Sequence, residues 1–393
     1  MLKNKMTRRE ALKVMGATVV TAGAGLSSPA ILKAADTVKL GVLCPLSGPL
    51  TFLGQTQLNC ALLAIEQINS KGGIGGRKLE HVVEDNQGTT KATTEKSRKL
   101  ISKDKVDAIA GMIRSLSRVA ALEVAERGKK LVIYPTFYEG GECNKYLICT
   151  GQVPNQQVDP FVPWLIKNVG KSIYVMGHDY MWPRGSSKAI KAAMEKNQGA
   201  FLGEEFFSFD TTDYGPALQK VKTLNPDMVW AMFSGGFDTF MKQYKSFGIK
   251  AKLVSSVLEE GLTVPTAPLF EGCIGSAAYF MTLDNASNKS FVSSYLKRFG
   301  SDKVIFALAE ALYDGIWLYA KAVEKAGSTE TEKVRKAITQ VEFSAPQGRV
   351  NILSTNQHMV CNSMAGSVRS DGQISVIENF GQIAPLVPGC NLS

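Results

Sequence analysis

Leu131-Val132-Ile133-Tyr134-Pro135-Thr136-Phe137-Tyr138-Glu139-Gly140 is a short apolar run that breaks into hydroxyls, aromatic rings and an acid. In an α/β protein, a buried strand that opens this way delivers those side chains to the carboxyl edge of a sheet, where ligands bind. No nucleophile with a matched base, metal-ligand cluster or phosphate loop accompanies it. The combination points to capture of a small polar molecule rather than its conversion. No catalytic residue, metal or cofactor is therefore expected.

On both sides of this stretch, short apolar runs alternate with segments of helical period. Strands are expected over 38–44, 79–84, 106–110 and 131–134, with helices over 57–70, 93–102 and 116–127 between them. In the first helix Leu58, Ala61, Leu62, Ile65 and Ile68 form the apolar face. Gly72-Gly73-Ile74-Gly75-Gly76 follows a helix and precedes a strand, the wrong order for a phosphate loop, and reads as a turn. After a Pro/Gly/Gln-rich break at 150–155 the alternation restarts. Strands are expected over 172–176, 201–208, 228–232, 252–255 and 273–280, and helices over 158–168, 186–196, 215–223 and 238–247. Two such runs predict an α/β fold of two lobes, each a parallel sheet covered by helices. Helices over 289–299, 306–326 and 330–340 are too few for a domain and are assigned back to the first lobe, before β-like runs over 349–353, 363–368 and 374–377. The lobes are thus 36–152 plus 281–347, and 153–280 plus 348–393. The chain would cross between them about three times, which makes a hinge.

The chain of 393 residues is long enough for two cores, and its 45% hydrophobic and 20% charged residues are ordinary for a globular protein. Half of the formal charge of +10 sits in the first 35 residues. The rest shows no dense Lys/Arg run with interleaved aromatics, so a nucleic-acid partner is not expected. The basic start through Thr7-Arg8-Arg9-Glu10-Ala11-Leu12-Lys13, followed by a mild apolar run from Val14 to Leu26, reads as an export signal of twin-arginine type. Cleavage near Ala34 or Ala35 would release the mature protein into the periplasm. The apolar run falls short of the ~20 residues that span a bilayer.

Seven cysteines, Cys44, Cys60, Cys143, Cys149, Cys273, Cys361 and Cys390, would then face an oxidising compartment. Cys143 and Cys149 flank a turn-like segment and are one candidate pair; Cys361 and Cys390 are another, stapling the tail. An odd count leaves a thiol unpaired within a monomer, and spacing leaves the connectivity open. His81, His178 and His358 lie far apart and no CxxC pair occurs, so a zinc site is not expected.

Several motifs carry a resemblance. Gly72-Gly73-Ile74-Gly75-Gly76-Arg77 after Ile65-Glu66-Gln67-Ile68-Asn69, then Glu84-Asp85, resembles the type I periplasmic binding fold of branched-chain amino-acid binding proteins. Tyr134-Pro135-Thr136 with Tyr138-Glu139-Gly140, Pro154-Asn155-Gln156, Gly177 with Asp179-Tyr180 and Pro183-Arg184, Ala345-Pro346-Gln347-Gly348, and Asn356 with His358 resemble the subgroup that binds urea and short-chain amides. The resemblance covers the whole mature chain. It implies two Rossmann-like lobes joined by a three-strand hinge and closing on a ligand.

Carried over position by position, the resemblance names a ligand-binding set. Ser115 falls on the family's ligand-binding serine, beside a helix N-terminus whose free N–H groups suit a carboxylate or carbonyl oxygen. Tyr134 and Thr136 match the next contacts, and Phe137 stands where proline is frequent. Ile113 replaces an aromatic residue usual in the amide binders, and Arg114 is a second departure. In the second lobe Tyr180 is the family's aromatic contact and Trp182 a candidate lid. Ser234 and Gly235 bring backbone N–H groups to the cleft, and Glu259 aligns with an acid that binds amide or ammonium N–H.

The leading reading is a periplasmic receptor that hands a small-molecule solute to an inner-membrane ABC permease. A ligand-sensing regulator of the amide-sensor type is the alternative, which the export signal opposes. An amidase would need a Ser-cisSer-Lys or Cys-Glu-Lys set, for which no convincing spacing is found. A homodimer is compatible with such folds.

Overall fold

The computed structural model describes residues 37–393, so the export-signal reading of residues 1–35 lies outside the described residues. The first lobe is built on parallel strands β1 (Val38–Cys44), β2 (Leu79–Asp85), β3 (Ala108–Gly111), β4 (Leu131–Tyr134) and β5 (Leu147–Cys149). Their order in the sheet is β2-β1-β3-β4-β5. Every residue of β3, β4 and β5 is buried, as expected where helices cover both faces of a parallel sheet. The intervening helices are α1 (Thr51–Ser70), α2 (Thr90–Ser102) and α3 (Ser115–Gly128).

The second lobe follows with α4 (Pro154–Gln157), α5 (Phe161–Asn168), β6 (Ser172–His178), α6 (Met181–Lys196), β7 (Ala200–Phe207) and α7 (Gly215–Leu224). It continues through β8 (Met228–Met232), α8 (Phe237–Ser246), β9 (Lys252–Ser255), α9 (Glu260–Thr263) and β10 (Ile274–Ala277). The chain then returns to the first lobe, where α10 (Ala286–Phe299) and α11 (Ala307–Ala326) pack on α1, and α12 (Thr331–Ile338) packs on α11. It crosses again into β11 (Glu342–Ala345), β12 (Gly348–Ile352), β13 (Met359–Val368) and β14 (Ile374–Ile383). The second sheet runs β11-β12-β13-β10-β9-β8-β6-β7, with β14 on β13. Strands β6 to β10 are parallel, and β13 adds to β10 antiparallel.

Where the structure departs from the sequence reading, a single residue usually explains it. Helix α1 begins at Thr51 rather than at 57 because Gly54 is no breaker. A Cβ there would lie 1.9 Å from the Pro45 carbonyl oxygen, so glycine permits the close approach. The buried face of α1 includes Leu63 and Ala64, whereas Leu58 and Leu62 are half-buried. Helix α6 begins at Met181 rather than at 186, since Pro183 falls in its first turn, where an N–H has no helical partner anyway. The expected helix over 158–168 begins later, as α5 at Phe161 behind Pro160, and a separate short helix, α4, precedes it over Pro154–Gln157.

Both candidate disulfide pairings are corrected. Cys143 bonds to Cys390, and Cys44, Cys60, Cys149, Cys273 and Cys361 are buried free thiols. The tail after β14 runs past Asn155 and Asn356 of the second lobe and then reaches Arg335 of α12 in the first, which brings Cys390 to Cys143. Asn155 Nδ2 donates to Ala384 O at 2.8 Å, Asn356 Nδ2 to Pro385 O at 3.0 Å, and Arg335 Nη1 to Leu392 O at 3.2 Å.

A buried acid pair sits where the third crossing meets α11. Gln347 Nε2 donates to Glu310 Oε2 and to Asp314 Oδ2, both at 3.0 Å. Burial pushes Glu310 up to about 8, and burial together with the Glu310 charge pushes Asp314 well above the usual carboxylate range. The folded chain therefore holds protons that the unfolded chain releases. That contribution is full below the unfolded carboxylate range and is lost as pH rises toward 8. Above about pH 7.5 the histidines of the unfolded chain, whose ordinary pKa is about 6.5, are mostly neutral, so the carboxyls dominate the slope. Thermal melts between about pH 7.5 and 8.5 should show the melting temperature falling, and Glu310→Gln should flatten the decline. Equal slopes in the two proteins would remove the pair from this role.

Candidate functional site

The carboxyl ends of the two sheets border a cavity of about 220 Å3. Its walls come from the loops after β3, β4, β6, β8 and β9, with additions from the starts of α1 and α11.

On the first lobe, β3 ends at Gly111 (φ 120°), where a Cβ would meet the Leu43 carbonyl oxygen at 2.5 Å. Met112 follows at φ 75°, a region side chains seldom adopt. The strained turn aims the Met112 carbonyl at Thr136 Oγ1 (2.9 Å) and Gln57 Nε2 (3.2 Å), and these bonds hold it. Ile113 then lines the cavity and Ser115 is the first residue of α3. The Ser115 hydroxyl donates to Glu139 Oε2 at 2.6 Å, while Glu139 Oε1 accepts from Arg118 Nη2 at 3.0 Å. Arg118 is only 2% exposed, its guanidinium 4.2 Å from the Tyr138 ring centroid and 5.3 Å from that of Tyr134.

Of the residues singled out from sequence, Ser115, Thr136, Phe137, Tyr180, Trp182, Ser234, Gly235 and Glu259 line the cavity. Tyr134 does not, which corrects its reading as a wall residue. It is fully buried behind the wall, and its hydroxyl donates to the Ile113 carbonyl at 2.7 Å. As the last residue of β4, it braces the Ile113–Ser115 turn from the far side of the strand.

On the second lobe the Tyr180 and Ser234 hydroxyls share a hydrogen bond at 2.6 Å. Ser234 N donates to His178 Nδ1 at 3.1 Å. Burial, with Arg114 nearby, takes His178 down to about 4, so the ring is a neutral acceptor at that nitrogen. Gly235 (φ 136°) and Gly236 (φ 61°) form the turn into α8. Trp182, 2% exposed, meets Phe137 across the cleft at 5.0 Å between ring centroids and Tyr180 at 6.1 Å.

Glu259 lies at the cavity wall, 2% exposed, and accepts from the Ala307 N–H. Burial pushes its carboxyl up to about 8 against that hydrogen bond, and Glu260 and Glu310 add to the rise. The sequence reading missed much of the apolar wall: Phe52, Phe233, Phe237, Val257, Phe306 and Leu308. Phe233 and Phe237 flank the Ser234-Gly235-Gly236 turn and were legible from it, whereas Phe52 and Phe306 arrive on helix starts remote in sequence.

The two lobes also touch outside the cavity. A Cβ on Gly185 of α6 would sit 2.4 Å from Cβ of Glu139. Gly185→Ala should therefore wedge the cleft without harming either lobe, because alanine favours the helix. Overpacking of this kind costs about 1–3 kcal/mol, here charged to the closed form alone, so affinity for any solute should fall roughly 5- to 150-fold. Calorimetric titration alongside an unliganded melt checks this; an unchanged affinity would mean that the closed form tolerates the methyl group.

Comparison with known proteins agrees with this geometry. The Periplasmic binding protein domain family matches residues 38–387. The Leucine-, isoleucine-, valine-, threonine-, and alanine-binding protein of Pseudomonas aeruginosa is 26% identical over 329 residues, covering 81% of this chain and 86% of its own length. A solute-binding protein of an ABC transporter from R. palustris, solved with benzoate, superposes with a TM-score of 0.81 at 22% identity, over 90% of this chain and 99% of that one. A leucine-binding protein from Thermotoga maritima superposes at 0.76 and 21% identity, over 88% and 99%.

Proposed function

We infer that this chain, which belongs to the periplasmic binding protein domain family, holds a compact and largely apolar solute between its lobes for delivery to an ABC permease. The carrying observation is the wall: Phe52, Phe137, Trp182, Phe233, Phe237 and Phe306 all face one small cavity. Burying apolar solute surface against such rings contributes roughly 25 cal/mol per Å2. Urea is almost wholly polar and would leave these rings uncovered. An amino-acid-like, aromatic or larger amide solute uses them, in keeping with structural neighbours of which one is solved with benzoate and another is named a leucine-binding protein.

The mechanism follows from the two-lobed build. Ser115, Thr136 and Phe137 belong to one lobe, and Tyr180, Trp182, Ser234 and Gly235 to the other. A solute touching both sets stabilises the closed form by its differential affinity for that form. In this reading 36–152 with 281–347 moves as one body and 153–280 with 348–393 as the other, with β11 hydrogen-bonded to β12 across their junction, and residues 1–35 direct export to the periplasm. Differential scanning fluorimetry of the mature chain against amino acids, aromatic acids and amines, amides and urea tests it. A bound solute at 100 times its Kd should add about 2.7 kcal/mol of stability. If no member of these panels shifts the melting temperature, the reading fails.

A further inference from the structure

We propose that Glu139 sets the polarity of the first-lobe wall and thereby selects a solute whose polar end donates hydrogen bonds, namely an amine, ammonium or amide N–H on an apolar body, against one that ends in a carboxylate. The proposal rests on the solute-binding reading above and deepens it.

A serine or threonine hydroxyl has one proton to give and two lone pairs to offer. Ser115 Oγ commits its proton to Glu139 Oε2 at 2.6 Å, and Thr136 Oγ1 commits its proton to the Met112 carbonyl at 2.9 Å. Both acceptors lie on the protein side, so what these hydroxyls present to the cavity is lone pairs. An ionised carboxylate accepts only, so Ser115 cannot reverse its role while Glu139 keeps its charge. Arg118, at 3.0 Å from Glu139 Oε1 and itself 2% exposed, holds that charge in place.

The rest of the lining carries no fixed positive charge: Asp238 is an acid, Glu259 is held largely neutral by burial, and no Lys, Arg or His is found among the described lining residues. A carboxylate entering here would set its oxygens against the Ser115 and Thr136 hydroxyl oxygens. An N–H group entering at the same place finds acceptors. The N–H groups at the start of α3, beside Ser115, and at the start of α8, on the opposite wall, are the alternative seats for a carboxylate, and they supply the competing outcome.

Benzylamine, benzamide and benzoate share one ring and differ only in the polar end, so they are the probes. Calorimetric titration of the mature chain at pH 7.5 should show benzylamine and benzamide binding at least tenfold tighter than benzoate. In Glu139→Gln the side-chain amide can donate to Ser115 Oγ and free its proton for the cavity. The preference over benzoate should then narrow at least fivefold. Ser115→Ala keeps the Glu139–Arg118 pair and so stays informative should Glu139→Gln fold poorly. It should weaken benzylamine and benzamide severalfold and leave benzoate within twofold. Benzoate binding as tightly as the amine in the unmodified chain, or an unchanged preference in both variants, would overturn the proposal. If a solute of another class binds while all three probes fail, this inference falls and the solute-binding reading stands. If nothing binds at all, both fall.

Discussion

Replacing Trp182 with alanine should weaken solute binding roughly 100- to 1,000-fold, a loss of about 3–4 kcal/mol. The indole is 2% exposed in the first turn of α6 and lines the cavity. Its ring packs on Phe137 of the opposite lobe at 5.0 Å. Truncation therefore removes a solute contact and a contact between lobes at once, and both exist only in the closed form. Trp182→Phe keeps an aromatic surface in place and should remain within about tenfold of the parent, since a ring-for-ring exchange loses only part of the buried area. Isothermal titration with any solute found by thermal shift reads the effect directly, and circular dichroism confirms that the variant folds. A loss of less than threefold in Trp182→Ala would take Trp182 out of the site.

Arg118→Ala should be the most damaging single substitution for stability, at about 3–5 kcal/mol. The side chain is buried on α3, hydrogen-bonded to Glu139 and laid over the rings of Tyr138 and Tyr134. Removing it leaves the Glu139 charge without its partner in a largely desolvated place, and it opens a gap between the two tyrosines. Arg118→Lys should recover only part of the loss, because an ammonium cannot lie flat between a ring and a carboxylate as a guanidinium does. Urea unfolding followed by far-UV circular dichroism gives the comparison. A midpoint unchanged in Arg118→Ala would mean that Glu139 finds another partner, for which Glu142, itself acidic and 3.7 Å from Arg118, is no candidate.

Much of the frame was legible because buried parallel strands advertise themselves. The runs at 131–134, 228–232 and 252–255 coincide with β4, β8 and β9 residue for residue. What failed to show was mostly tertiary in origin. Gly54 and Pro183 look like breakers until the Pro45 carbonyl and the first turn of α6 are seen. β5 is three residues long, too short for a periodic signal. Thr136 and Ser234 lie just past a strand, and that position together with the family resemblance named them. Tyr134 lies one residue too early, and its side chain serves the far side of the strand. Phe52 and Phe306 reach the cavity only because α1 and α11 pack together, a pairing across more than half the chain that local pattern does not encode.

The Cys143–Cys390 bond has a mechanical consequence. Cys390 follows β14 of the second sheet, while Cys143 sits in the loop between β4 and β5 of the first, so the bond adds a covalent strut beside the three peptide crossings. Two plates joined by parallel struts along one side can fold like a book but resist shear and torsion. Oxidation would then leave opening and closing as the compliant coordinate and stiffen the others. Reduced protein should still bind its solute, but with its lobes able to skew as well as fold.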